Sequence, residues 1–303
     1  MSTRQRFQDN RHLVANRDAI LIVLAGLCWS LSGIGVRLIE DANVWQIVLY
    51  RSISMSFFLG GVVYYMTGQN PIKIALEKGV VGWVCGFALV LSYVAGVYAL
   101  QTTSVANTLL LFSTAPFQTA ILARVFLGEI VRWRTWFAIG FSLMGVLIMV
   151  GGQDNQSHIF GDVAALSAAL GFAVFTISVR KGRTGDMMPA VFWSGILCLP
   201  VMVLICIYTE TPLRVGSKDA LIALLLGIIQ MGLGLLLFTL GSKTLPAAKM
   251  TLLALSEVFF APLWVWLFLD ERIPLQTLIG GSVILLAINW NVAGRNSQTE
   301  LAS

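Results

Sequence analysis

The sequence predicts an all-α integral membrane protein: ten transmembrane helices arranged as two inverted five-helix repeats, with both termini in the cytoplasm. Three observations lead there. Of the 303 residues, 57% are hydrophobic and only 12% charged, about half the charged share of a soluble domain. The charges gather in short clusters between apolar stretches of roughly 18–23 residues, the length a helix needs to cross hydrocarbon. The polar punctuation of the first half then returns in the second.

The first span is expected at 19–38, opening after Arg17 and closing just past Arg37. The second, 44–66, and the third, 80–100, flank a turn that carries Lys73 and Lys78. The fourth, 105–127, ends at Gly128-Glu129, and the fifth, 133–150, opens after Arg132. The sixth, 162–180, ends at Arg180-Lys181, and the seventh, 189–208, lies between Arg183 and Arg214. The eighth, 219–240, runs from Lys218 towards Lys243. The ninth, 247–269, ends at Asp270-Glu271, and the tenth, 275–292, lies between Arg272 and Arg295. Strands would require alternation with frequent turns, and that pattern is absent.

Orientation follows from the basic residues. With the N-terminus inside, 15 of the 20 Lys and Arg fall on the cytoplasmic side, four outside (Arg37, Arg214, Lys218, Arg272) and one, Arg51, within a helix. That bias satisfies the positive-inside rule and supports the span count, since a miscount would scramble it. No cleavable signal peptide is expected, because the chain opens on polar and basic residues. The resulting division is a cytoplasmic segment 1–18, a first repeat 19–150, an external linker 151–161, a second repeat 162–292 and a cytoplasmic tail 293–303.

The repeat is read from particular residues. Residues 109–129 are LLLFSTAPFQTAILARVFLGE, and residues 251–271 are TLLALSEVFFAPLWVWLFLDE. An offset of 142 pairs Leu110-Leu111 with Leu252-Leu253 and Gly128-Glu129 with Asp270-Glu271, and one of 143 pairs Arg37 with Arg180. Five helices per half is an odd number, so the second half enters the membrane inverted. Such repeats place a site at the midplane and expose it alternately to each side.

These motifs, the LGE and LDE ends of the fourth and ninth helices and the 5+5 layout, resemble the drug/metabolite transporter superfamily, EamA type, over residues 19–292. The aromatic-rich helices are similar to bacterial exporters of aromatic amino acids, of YddG type. The resemblance implies a secondary transporter of small organic metabolites, expected to export amino acids or related compounds across a bacterial inner membrane. The alternatives are an uncoupled facilitator or exchanger of nucleosides, sugars or organic cations, and a membrane-embedded enzyme; an enzyme is not expected, because no catalytic cluster or nucleophile with a base is visible. One departure stands out. Pro116 holds the family's mid-helix proline, whereas Val258 stands at the equivalent position and the nearest proline is Pro262. The ninth helix is therefore expected to bend at a different depth.

Glu257 is the candidate coupling residue. It lies about 15 Å from either interface at 1.5 Å per residue, where a carboxylate is costly unless protonated, paired or hydrated. It can carry a coupling proton, bind a substrate amine or bond a neighbouring helix. Arg51, about two turns into its helix, can bind a substrate carboxylate, anchor helices through carbonyls or Glu257, or snorkel outward. Glu129 and Glu271 end their helices on opposite faces. They are read with Arg51 and Pro116 as gating or structural residues, each glutamate capping the N-terminus of the next helix. The resemblance places helices one, three, four, six, eight and nine around the cavity. Its candidate lining is Trp29, Ser32, Tyr93, Tyr98, Ser113, Gln118, Phe172, Thr176, Gln230 and Glu257. Aromatic rings there can stack a planar substrate or hold a cation; ordinary helix packing is the competing account of each. Trp264, nearer an interface, is a weaker candidate.

Several classes are excluded. Cys28, Cys85, Cys198 and Cys206 lie in apolar stretches with no CxxC or Cys/His cluster, and the two histidines lie outside the spans, so neither a disulfide framework nor a metal is expected. No cofactor is called for, and no GxxxxGK[ST] loop supports ATP drive. Nucleic acid is not a partner, because the membrane accounts for the basic residues. The expected partners are a small-molecule substrate, the lipid bilayer and protons as a coupling ion, in a monomer or homodimer.

Overall fold

The computed structural model describes residues 3–150, 158–269 and 274–293. Among these residues every regular element is helical. They form α1 (Thr3–Trp29), α2 (Ser32–Arg37), α3 (Val44–Thr67), α4 (Pro71–Glu77), α5 (Gly79–Thr102), α6 (Val105–Phe112), α7 (Ala115–Phe126) and α8 (Trp133–Val150). The second half contains α9 (Ile159–Lys181), α10 (Met188–Tyr208), α11 (Ser217–Leu226), a π-helical segment (Gly227–Leu233), α12 (Gly234–Gly241), α13 (Ala247–Ala254), α14 (Ser256–Leu269) and α15 (Leu275–Ala293). Among the described residues, ten stretches are long and apolar enough to cross a membrane.

Four spans are not continuous α-helix: the eighth carries the π-helical segment, the first, fourth and ninth break, and local chemistry explains two of the breaks. In the first span, the Ser30 hydroxyl donates to Leu27 O at 2.6 Å, and Leu31 N bonds Cys28 O, so the helix tightens and restarts as α2. In the fourth, the Ser113 and Thr114 hydroxyls donate to Leu110 O and Leu111 O, both at 2.6 Å, and Pro116 follows in the first turn of α7. Proline suits that position because its missing N–H would have had no helical partner. The ninth span also breaks, at Leu255, without a proline at the break. This corrects the expectation of a displaced bend: Ser113 and Leu255 are related by the same offset of 142, while Pro262 sits inside α14. The short helix α4, begun by Asn70 accepting the Ile72 N–H at 2.9 Å, was not expected.

Packing follows the repeat. Among the extensive pairings are α5 with α9, α8 with α15, α3 with α10 and α1 with α12. Exchanging the two halves turns the third-with-sixth contact into the eighth-with-first contact and returns the other two to themselves. Small residues permit the close approaches. A Cβ built on Gly145 of α8 would lie 2.7 Å from Gly280 O of α15. Gly145→Val is therefore expected to lower stability by about 1–3 kcal/mol through overpacking, read as a drop in the thermal midpoint in detergent.

The two ends of the bundle carry matching ties. At the end holding the N-terminal helix, Asp18 accepts from Thr244 N at 3.1 Å and from the Thr244 hydroxyl at 2.6 Å. At the opposite end, Asp162 accepts from the Thr103 hydroxyl at 2.9 Å. Each aspartate opens the first span of its half, and each threonine lies in the turn between the third and fourth spans of the other half. The opposite end is further held by Asp219, which accepts the N–H groups of Glu40, Asp41 and Ala42 at 3.2, 2.9 and 2.9 Å.

Candidate functional site

The breaks in the first and fourth spans border an aromatic cluster. Trp29, at the end of α1, meets Phe172 of α9 edge-on at 5.6 Å between centroids and Phe238 of α12 at 5.4 Å. Phe172 also contacts Phe112 at 6.0 Å and Phe175 at 5.9 Å. Trp29 and Phe172 came from the sequence reading; Phe112, Phe175 and Phe238 did not, because a phenylalanine in an apolar span carries no signal of its own.

Several buried polar atoms have no partner, and two of them, on Trp29 and Gln230, lie at the rings. The Trp29 Nε1 is buried and unbonded, and Gly234 leaves it room. The Gln230 amide, within the π-helical segment, donates to Trp29 O at 3.4 Å, but its Oε1 has no partner. Arg51 and Tyr93 lie within electrostatic range of each other and of Cys198. Arg51 Nε is buried without a partner. The Tyr93 hydroxyl lies near Ser194, whose own hydroxyl is donated to Val191 O at 2.6 Å, and completes no hydrogen bond there. Ser256, unnoticed in the sequence, has an unbonded buried hydroxyl beside Gly26 of α1.

Glu257 follows Ser256, in the first turn of α14 just past the break. Its backbone lies against Gly26, and its half-buried carboxyl makes no hydrogen bond or ion pair with any described residue. Arg51 is therefore not its partner, which removes one of the anchoring roles open to Arg51.

Other candidates are engaged in their own helices. Thr176 is fully buried and donates to Phe172 O at 2.9 Å, and Ser113 shapes the α6–α7 break. Gln118 ties α7 to α9 through Leu166 O at 3.4 Å, while bonding Thr114 at 3.1 Å. Pro116 is buried at the start of α7 and Ser32 opens α2. Tyr98 is 42% exposed and stands apart from the rings. Trp264 donates to the Ser30 hydroxyl at 2.8 Å, linking α14 to the break in the first span.

Glu129 differs from expectation. It does not cap α8, the helix that follows it. Instead its Oε1 accepts from Arg180 Nε at 2.8 Å, and its Oε2 accepts the Ala247 N–H at 2.9 Å, so it caps α13 in the other half. Arg180, only 7% exposed, also donates to Ser242 O at 3.3 Å and Lys243 O at 2.8 Å. Glu271 lies outside the described residues.

The sequence profile of the EamA-like transporter family matches twice, over residues 17–151 and 159–292. The chain belongs to the EamA-like transporter family. It is a multi-pass membrane protein and a transporter. It is 25% identical over 284 residues to mouse solute carrier family 35 member G1, covering 87% of this chain and 74% of that protein. An uncharacterized transporter of Archaeoglobus fulgidus is 30% identical over 208 residues, covering 68% and 72%. An S-adenosylmethionine uptake transporter of Rickettsia prowazekii is 25% identical over 193 residues, covering 59% and 63%. A crystal structure shares the EamA-like fold with a TM-score of 0.72 at 17% identity, covering 90% of this chain and 97% of that one.

Proposed function

We propose that this EamA-like protein is an alternating-access secondary transporter that exports amino acids or closely related metabolites across a bacterial plasma membrane, with its termini in the cytoplasm and protons as the coupling ion. The observation that carries the reading is a pair of opposite charges within the spans, Arg51 and Glu257, that do not neutralise each other. An isolated intramembrane charge is expensive and marks a functional site by default. A zwitterion supplies both missing partners: its carboxylate suits Arg51 and the Tyr93 hydroxyl, and its ammonium suits Glu257. The ring cluster around Trp29 and Phe172 offers a surface for an apolar or planar side chain. The S-adenosylmethionine named for the Rickettsia relative also bears an amino-acid head group.

The inverted arrangement of the halves is supported by the reciprocal Asp18–Thr244 and Asp162–Thr103 ties at opposite ends. It is also supported by the equivalent breaks at Ser113 and Leu255. In this reading the Glu129–Arg180 contact closes the cytoplasmic side, because it joins the end of α7 to the end of α9 and the start of α13.

The test is exchange of radiolabelled amino acids in liposomes, with and without a pH gradient, for wild type and Glu257→Gln. Wild type is expected to exchange a zwitterion, and Glu257→Gln to lose the gradient-driven component. Equal flux from both proteins makes Glu257 a packing residue. No flux for any amino acid sinks the cargo reading, and nucleosides, sugars and organic cations are then screened as cargo of a facilitator.

A further inference from the structure

At the bundle end that holds the Glu129–Arg180 contact, a cavity of about 390 Å³ opens between the end of α3, the turn before α10 and the end of α12. Its lining shares no residue with the aromatic cluster. Two exposed cations, Arg183 and Lys243, stand on it together with the exposed Thr184, while Met66 and Leu240 give it an apolar side. Neither cation forms an ion pair with a described residue. The one carboxylate on the wall, Asp186, accepts the Met188 N–H at 3.0 Å, so its charge is held on the first turn of α10. Beside the cavity, Tyr64 and Tyr65 are 62% and 91% exposed. Amphipathic rings of this kind settle where hydrocarbon gives way to headgroups.

We propose that this cavity binds the phosphodiester headgroup of an anionic lipid. Two unpaired cations beside a hydroxyl suit a phosphate, and the apolar side suits the start of an acyl chain. The lipid source rests on the proposed orientation, which puts this end in the cytoplasmic leaflet, where anionic lipids attract basic pockets between helices. The site is also coupled to the closure. Ser242 and Lys243 line the cavity, and their carbonyls are the acceptors that hold Arg180. A headgroup that pins the Lys243 side chain steadies the backbone on which Arg180 is anchored, so anionic lipid favours the state with this end closed.

The test uses the purified full chain in neutral detergent, titrated separately with dioleoylphosphatidylglycerol, dioleoylphosphatidylcholine and inorganic phosphate, with the thermal midpoint as readout. Phosphatidylglycerol is expected to raise the midpoint saturably and phosphatidylcholine to leave it unmoved. Arg183→Gln with Lys243→Gln is expected to weaken the apparent affinity on the order of tenfold. Lys73→Gln with Lys78→Gln, which removes two cations from the same end outside the cavity, is expected to retain it. Unchanged affinity in the first pair overturns the site. Equal weakening in both pairs overturns it too, since diffuse attraction then suffices. A full shift from inorganic phosphate alone overturns the lipid as occupant. Helical circular dichroism verifies folding, and the single variants replace the pair if it does not fold. No flux is measured, so failure here is distinct from failure of the transport reading.

Discussion

Glu129→Gln is expected to lower stability by about 3 kcal/mol, because removing one partner strands a buried charge. Arg180 is 7% exposed and would keep only its carbonyl acceptors. The same change weakens the carboxylate cap on α13, since Oε2 accepts the Ala247 N–H. Thermal unfolding with a double-mutant cycle to Arg180→Met separates the two effects. If the pair dominates, the double variant recovers much of the loss. If the cap dominates, Arg180→Met alone is mild and the double variant resembles Glu129→Gln. A change below about 0.5 kcal/mol in Glu129→Gln would remove the pair from any role in closing that end.

Arg51→Met is expected to move stability and function in opposite directions. The wild-type protein buries Nε without a partner, so exchanging the guanidinium for an apolar chain relieves a desolvation cost. The thermal midpoint should hold or rise. Affinity for a carboxylate substrate should fall roughly 10- to 150-fold, the equivalent of about 1.5–3 kcal/mol for hydrogen bonds to a charged group. A helix anchor would give the reverse pattern, a marked loss of stability with binding kept per folded molecule. Measuring both quantities on one preparation decides between them.

What the sequence revealed depended on whether a signal was local. The spans were legible because length and apolarity suffice to define them, and the fourth-span break was announced by Pro116. The ninth-span break at Leu255 was not, since no proline marks it and the displaced Pro262 pointed elsewhere. Glu257 was legible as a lone acid at depth. Its lack of a partner was not, because that depends on which side chains approach from other helices. Glu129 was assigned to the helix following it in the chain, whereas its partners lie 51 and 118 residues away. Asp18 and Asp162 were passed over although each opens its half, and comparing their positions across the repeat would have flagged them. Thr176 and Ser113 carry a further feature that the sequence does not announce: each hydroxyl donates to a carbonyl of its own helix.

The π-helical segment Gly227–Leu233 in the eighth span has no counterpart in the third, where α5 runs as α-helix from Gly79 to Thr102. Under the inverted-repeat reading, the inward-facing and outward-facing forms arise when each half adopts the other's packing. Halves that differ at this point are not held by symmetry to two forms of equal free energy. In that reading the empty carrier is free to prefer one resting side, before any gradient acts. A bias of about 1.4 kcal/mol already makes that preference tenfold. Substrate arriving on the disfavoured side would find few empty carriers open to it.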